Sequence, residues 1–212
     1  MGFAFGGFWL AFGKQMAYNE EKSAGGWAMK AWYHLKTITH HKWLVLKGCF
    51  RVGLYWQGLT HDLSKYSPTE FLIGMRYYQG TRSPNAAERE EKGYSEAWMH
   101  HKGRNRHHYE YWTDLSPVTR TYESVPMPRR YLVEMIMDRI AACKTYQGDA
   151  YTPGSALTYF EKSRERSLMH PELKRQLTYL LTMLKEQGEA ETFSYLKNSV
   201  LKGMPFPWES AE

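Results

Sequence analysis

Residues 59–71 read LTHDLSKYSPTEF, and this stretch carries a helix signal and a chemical signal side by side. Ser67-Pro68-Thr69-Glu70 is a helix start. The serine can accept at the N-cap, the proline loses nothing at the first helical position, and the glutamate three residues on can reach back to close a capping box. A helix from Pro68 to about Tyr78 should result. Just upstream, His61-Asp62 is expected on a helix with Lys65, which lies four residues from the histidine and three from the aspartate, so all three can converge on one side. An imidazole nitrogen and a carboxylate oxygen from consecutive residues can address one metal ion, or two neighbouring ones, with the lysine beside them for an anionic group.

Outward from this block, helical spacing dominates. Apolar positions fit a helix from Ala31 to about Lys47, with a helix start at Met29, and Gly48 and Gly53 punctuate the chain beyond it. Gly80 to Asn85 reads as a loop, and Tyr94-Ser95-Glu96 opens a helical stretch that carries paired histidines. After a Pro-bearing loop from Ser116 to Met127, Pro128 begins a helix with Leu132, Ile136, Ile140 and Cys143 on one face. Leu173, Leu177, Leu180, Leu181 and Leu184 make the next apolar stripe, and Phe193, Leu196 and Val200 the last. Val and Ile are too sparse and scattered for the alternating runs of a sheet. The expected fold is an all-α single helical bundle over residues 29–202, with a flexible apolar extension at 1–28 and a tail at 203–212.

The chain has 212 residues, 28 Lys+Arg against 22 Asp+Glu, and a formal charge of +6. With 42% hydrophobic and 16% aromatic residues and a mean hydropathy of −0.63, the composition is that of a soluble globular protein and not of a disordered or membrane chain. Met1 to Gly13 (MGFAFGGFWLAFG) is apolar, yet it lacks a basic leader and a cleavage site and is too short to span a bilayer. No stable membrane insertion is expected; the other reading of this segment is a membrane-touching or partner-binding anchor. Only Cys49 and Cys143 are present, which excludes a disulfide framework, a cysteine zinc site and a thioredoxin motif, and makes a reducing cytoplasm the expected compartment.

Eight of nine histidines lie between His34 and His108, a concentration that suggests metal or acid-base chemistry. The segment 98–112, WMHHKGRNRHHYEYW, spaces His100 from His107 and His101 from His108 by seven residues, two helical turns, although Gly103 and Asn105 interrupt the pattern. Lys102, Arg104 and Arg106 lie among them. Metal ligands beside cationic side chains suit a phosphate ester. Nucleic acid is the competing partner, with Tyr109, Tyr111 and Trp112 as stacking surfaces, although such aromatics equally make core.

At these residues the chain resembles the HD-domain metal-dependent phosphohydrolases, whose pattern is an early histidine, an H-D-x-x-K block, further histidines and a distant closing aspartate. The early histidine would be His41 or His40, with His41 preferred because it opens HKWLV. The pair is His61-Asp62. The further histidines come from His100 or His101 and from His107 or His108, with His101 and His108 taken here. The closing residue would be Asp138 in EMIMDRIAA, which otherwise pairs locally with Arg139 or Arg130. Glu134, one turn earlier, could orient a ligand or an arginine.

The resemblance implies a hydrolase of a nucleotide or small phosphomonoester. It would use one or two divalent ions (Mn, Fe, Co, Ni or Zn) held by His41, His61, Asp62, His101, His108 and Asp138. Asp62 would be the bridge, and Lys65 and Arg104 the phosphate contacts. A cyclic dinucleotide fits less well, since no G-Y-P element occurs. From about Met29 to Tyr195 the chain also resembles an uncharacterised bacterial and phage family, through the blocks TITHHK, HDLSKYSPTEF, HHKGRNRHHYEYW, MPRRYLVEMIMDRIAA and LMHPE.

A ferritin-like site is disfavoured because no Glu-x-x-His occurs. Zincin, nucleophile-elbow and Walker A motifs are likewise missing. The alternative to an enzyme is a helical nucleic-acid- or protein-binding module with a structural metal.

Overall fold

The computed structural model describes residues 24–209. Residues 1–23, most of the expected apolar extension, lie outside that range. Among the described residues are eight α-helices: α1 (Ala24–Val52), α2 (Tyr55–Thr60), α3 (Pro68–Arg76), α4 (Pro84–Lys92), α5 (Glu96–Lys102), α6 (Arg129–Gln147), α7 (Ser155–Glu161) and α8 (Pro171–Tyr195). The protein is all-α. Two three-residue strands, Thr113–Leu115 and Tyr122–Ser124, pair antiparallel with Asp114 opposite Glu123. They turn part of the loop expected from Ser116 to Met127 into an exposed hairpin. With no face in the core, it adds no layer.

The core forms where α1, α6 and α8 meet. Val45, Cys49 and Val52 of α1, Leu132, Ile136 and Ile140 of α6, and Leu177, Leu180, Leu181 and Leu184 of α8 are buried in one cluster. Helix α6 is buried on several sides, as a central helix must be, and Leu132 to Met137 are all buried, Glu134 among them. Helix α1 begins at Ala24, before Met29, and runs unbroken through Gly48. A Cβ there would sit 2.8 Å from Met137 Sδ, so the glycine marks a close approach of α1 to α6, not a helix end. The two C-terminal stripes are separated at Gly188, which has φ +78° inside α8. Beyond them, Phe206 is buried in the core and Trp208 stacks on it with ring centroids 4.9 Å apart.

Helix α3 lies against α1 with so little clearance that an added Cβ at Gly74 would run into His34 Nε2. The His34 ring also meets Phe71 and Tyr78 at 5.3 and 5.8 Å between centroids. Burial first, and then the Lys65 charge, push its pKa down to about 4, so His34 packs as a neutral ring. Gly74→Ala should therefore destabilise the fold by about 1–3 kcal/mol through overpacking. A lowered thermal midpoint would show this, and an unchanged midpoint would mean that the α1–α3 contact is loose.

Among the described residues no helix is long and apolar enough to cross a membrane.

Candidate metal centre

The His61-Asp62 pair does not sit within a helix. Helix α2 ends at Thr60, His61 is extended at φ −49°, ψ 126°, and Asp62 is left-handed at φ 53°, ψ 26°, before a 3-10 turn over Leu63–Tyr66. This corrects the sequence expectation. On a continuous helix, consecutive side chains point about 100° apart and diverge; the left-handed residue turns both toward one centre. Aspartate tolerates that conformation better than most residues, at a strain of about 1–3 kcal/mol. Lys42 of α1 steadies the junction, its Nζ donating to the carbonyls of Leu59 and His61 at 2.8 Å each.

Four segments then converge on the Asp62 carboxylate. Oδ2 lies 3.3 Å from His61 Nε2, 3.8 Å from His41 Nε2 of α1 and 2.5 Å from Lys65 Nζ. Oδ1 lies 3.2 Å from His101 Nε2 of α5 and 3.4 Å from His107 Nε2 of the loop beyond it. From α6, Asp138 Oδ1 reaches His41 Nε2 at 3.0 Å and His61 Nε2 at 3.6 Å. Despite this closeness the atoms are not aligned for hydrogen bonds. His41 Nε2, His61 Nε2, His107 Nε2 and both Asp62 oxygens are buried without a hydrogen-bond partner. Three sets of donors result among the described residues, each with its donor atoms within 4.8 Å of one another: a smaller one of His61, His107 and Glu134, and two of four residues, His41, His61, Asp62 and Asp138, and Asp62, His101, His107 and His108. Asp62 belongs to both four-residue sets.

A second ring of carboxylates orients the imidazoles. Glu134 Oε1 accepts from Nδ1 of His61 at 3.0 Å and of His107 at 3.1 Å, which orients both rings with their Nε2 atoms facing inward. Glu70 does the same on the other side, with His101 Nδ1 2.7 Å from Oε2 and His100 Nδ1 2.7 Å from Oε1. The expected capping box is therefore only half formed. Ser67 Oγ accepts from the Glu70 backbone N–H at 3.4 Å, but the Glu70 carboxylate turns inward to the histidines instead of back to the N-cap.

Burial distinguishes the two members of each histidine pair. His41 is buried and His40 exposed; His101 faces Asp62 while His100 sits behind it. For the last pair the structure shifts the sequence expectation. His108 Nε2 is 2.9 Å from His101 Nε2, at the margin of the cluster. His107 is the buried residue, held by Glu134 and aimed at Asp62. The seven-residue spacing from His101 to His108 does not hold because α5 stops at Lys102. Asn105 then clamps the turn, donating to the His101 carbonyl and to Ser64 Oγ at 2.8 Å each.

The charges are mutually supporting. Burial opposes ionisation of Asp62, yet His61, Lys65 and His101 hold its carboxyl well below the usual range. Asp138 is likewise depressed against burial by its contacts with His41 and His61. His61 is raised well above an ordinary imidazole in spite of burial, chiefly by Asp62 and then by Asp138 and Glu134. His41 is lowered, by burial first and Lys65 second. Two anionic carboxylates thus hold cationic partners whose protons a bound cation would displace.

His41, His101, His107, His108 and Asp138 of the cluster line a cavity of about 500 Å³, together with Lys65, Tyr78, Arg82, Glu110, Arg139, Tyr146 and Tyr159. Arg104 does not line it. That side chain is exposed and donates to the His100 carbonyl at 3.2 Å, and Arg106 instead reaches the Tyr131 hydroxyl at 3.2 Å. The loss of helix after Lys102 turns both arginines outward. Besides Lys65, the cavity is lined by the cationic side chains of Arg82 and Arg139. Arg139 follows Asp138 on α6, and no ion pair joins those two among the described residues. Its Nε is buried without a hydrogen-bond partner, as is Glu110 Oε2 on the same cavity wall. Tyr109 and Trp112 pack against the core, where they cannot offer both faces to a base.

Glu70 and Arg139 escaped the sequence reading of the site, whereas His107 was the alternative weighed against His108. Glu70 was hidden by its helix-start signal, and Arg139 stood beside Asp138 as its expected ion-pair partner.

A profile described as "Family of unknown function (DUF5662)" matches residues 30–183. No curated protein and no solved structure matches the chain. The matched range runs from α1 through the Leu173–Leu181 stripe of α8 and takes in every residue of the cluster, so the chain belongs to this family of unknown function.

Proposed function

We propose that the protein is a metal-dependent phosphohydrolase acting on a nucleotide or small phosphomonoester. The observation that carries this reading is the set of five buried atoms around Asp62 that crowd together without an aligned hydrogen bond, with the Lys65 ammonium at the Asp62 carboxylate. One or two divalent cations would satisfy these atoms together. Mixed imidazole and carboxylate donors suit Mn, Fe, Co, Ni or Zn. His41, His61, Asp62 and Asp138 would hold one ion, and Asp62, His101 and His107, with His108 at the margin, a second. Such ions supply Lewis acidity and a hydrolytic water of lowered pKa.

The chain's own groups do the rest. Lys65 and Arg139 bind the phosphate oxygens, Glu134 and Glu70 keep the imidazoles in register, and the tyrosine-lined cavity shields the ester from bulk water. A volume of about 500 Å³ is suited to a small ligand, and an open cavity beside the donors favours an enzyme over a closed structural site. The order of the donors, with its H-D-x-x-K block, supports the HD-type assignment.

Metal analysis of the purified protein with a phosphomonoester and nucleotide panel tests this. Transition metal should copurify at up to two equivalents. Lys65→Ala and Arg139→Ala should keep the metal while kcat/KM falls about 10–100-fold, the loss of one charge-assisted contact. A folded protein that takes up no added metal, or unchanged turnover in both variants, overturns the proposal.

A further inference from the structure

The side of α1 that faces away from the cavity carries an unusual surface. Trp32, Lys36, Trp43, Lys47 and Phe50 fall on one helical face and all are exposed. Trp32 is 63% accessible and Trp43 52%. Phe50 meets Tyr55 edge-on at 5.1 Å between centroids, which carries the surface onto α2, where Trp56 is 73% exposed beside Leu59. Tyr66, bonded to Thr39 Oγ1 at 3.1 Å, extends it to Leu63. Isolated exposed hydrophobes are ordinary, but so many exposed aromatic side chains on one helical face and the segment beside it mark an interaction site.

Its charge is one-sided. Asp62 is the sole acidic residue between Ala24 and Thr69, and it is 1% exposed. The bordering carboxylate Glu189 is already engaged by Arg51 at 3.4 Å and Lys144 at 2.5 Å.

We propose that this α1–α2 face docks on the surface of an anionic phospholipid bilayer. Tryptophan and tyrosine favour the headgroup level, and lysines among them draw anionic lipid. A basic amphipathic helix lying flat on a membrane has this composition. A second copy of the chain is a poorer occupant: a two-fold interface would bring Lys36 and Lys47 toward their own copies with no carboxylate on the face to meet them. A nucleic acid would use the lysines and tryptophans but leave Leu59 and Leu63 without a role. Because His34, Ile38 and His41 occupy the buried side of α1, docking on the opposite face leaves the metal centre untouched and does not depend on the proposed activity.

Co-sedimentation of the full chain with vesicles tests this, using phosphatidylcholine alone and phosphatidylcholine with about one third phosphatidylglycerol. Binding should appear on the anionic vesicles, weaken at least about tenfold on neutral ones, and fall in high salt. The Trp32→Ala/Trp43→Ala/Trp56→Ala triple variant and the Lys36→Glu/Lys47→Glu variant should each bind about tenfold more weakly, with metal content unchanged. The charge reversal, confined to exposed positions, keeps the test informative should the triple variant misfold.

Four results would overturn the proposal. They are no vesicle binding by the folded protein, equal binding to neutral vesicles, full binding by both variants, or a wild-type dimer in light scattering that the variants dissolve. Salt-sensitive polynucleotide binding without vesicle binding would assign the face to nucleic acid instead.

Discussion

Asp62→Ala is expected to strip the protein of transition metal and to abolish turnover on any phosphomonoester that the wild type hydrolyses. The loss should exceed the roughly 10–100-fold that changes behind the metal ligands produce. The reason lies in the two oxygens: Oδ2 faces His61 and His41 while Oδ1 faces His101 and His107. Removing the carboxylate takes a donor from both four-residue sets at once. It also leaves Lys65, whose pKa Asp62 raises against burial, without its counter-ion in the cluster, so the metal-free variant should lose stability as well. Asp62→Asn separates the two effects, since it keeps shape and left-handed tolerance but not charge. Metal content by elemental analysis and thermal unfolding with and without chelator would measure both. An alanine variant that retained full metal would remove Asp62 from the centre and the bridge with it.

Glu134→Ala should be the next most damaging change, although Glu134 faces the imidazoles from behind. Its Oε1 accepts two imidazole N–H groups, at 3.0 and 3.1 Å. Alanine leaves both donors buried and unsatisfied, at about 1–3 kcal/mol each. It also frees His61 and His107 to rotate or change tautomer. Metal affinity should fall about 10–100-fold, whereas Glu134→Gln, which keeps an accepting oxygen, should recover part of that loss. Titration with Zn or Mn against a competing chelator reads the difference. Equal affinity in all three proteins would show that packing alone orients the histidines.

The helical class was legible because each long helix carries its own apolar stripe: Leu132, Ile136 and Ile140 repeat at helical spacing whatever they pack against. The residues of the cluster were also legible in kind, because imidazole and carboxylate donors of the right types were concentrated in the chain. Local rules failed where the backbone leaves the helix. His61-Asp62 lies on a break, not on a helix, and α5 stops before His107 and His108 can stay in phase with His100 and His101. The Ser67–Glu70 box misled for a related reason. A pattern of four residues describes what a side chain can reach locally, and Glu70 found two imidazole donors at 2.7 Å, 30 and 31 residues away in sequence.

By itself, then, the sequence determined an all-α protein with a histidine and aspartate store centred on His61-Asp62 and completed by Asp138. Tertiary structure decided the rest: His107 ahead of His108 beside Asp62, Glu134 and Glu70 behind the ligands, Arg139 in the cavity and Arg104 outside it. The physical reason is that helix formation depends on spacing within about two turns, which a sequence displays directly. Which side chain faces a shared centre depends instead on helix ends, left-handed turns and packing between segments far apart in the chain.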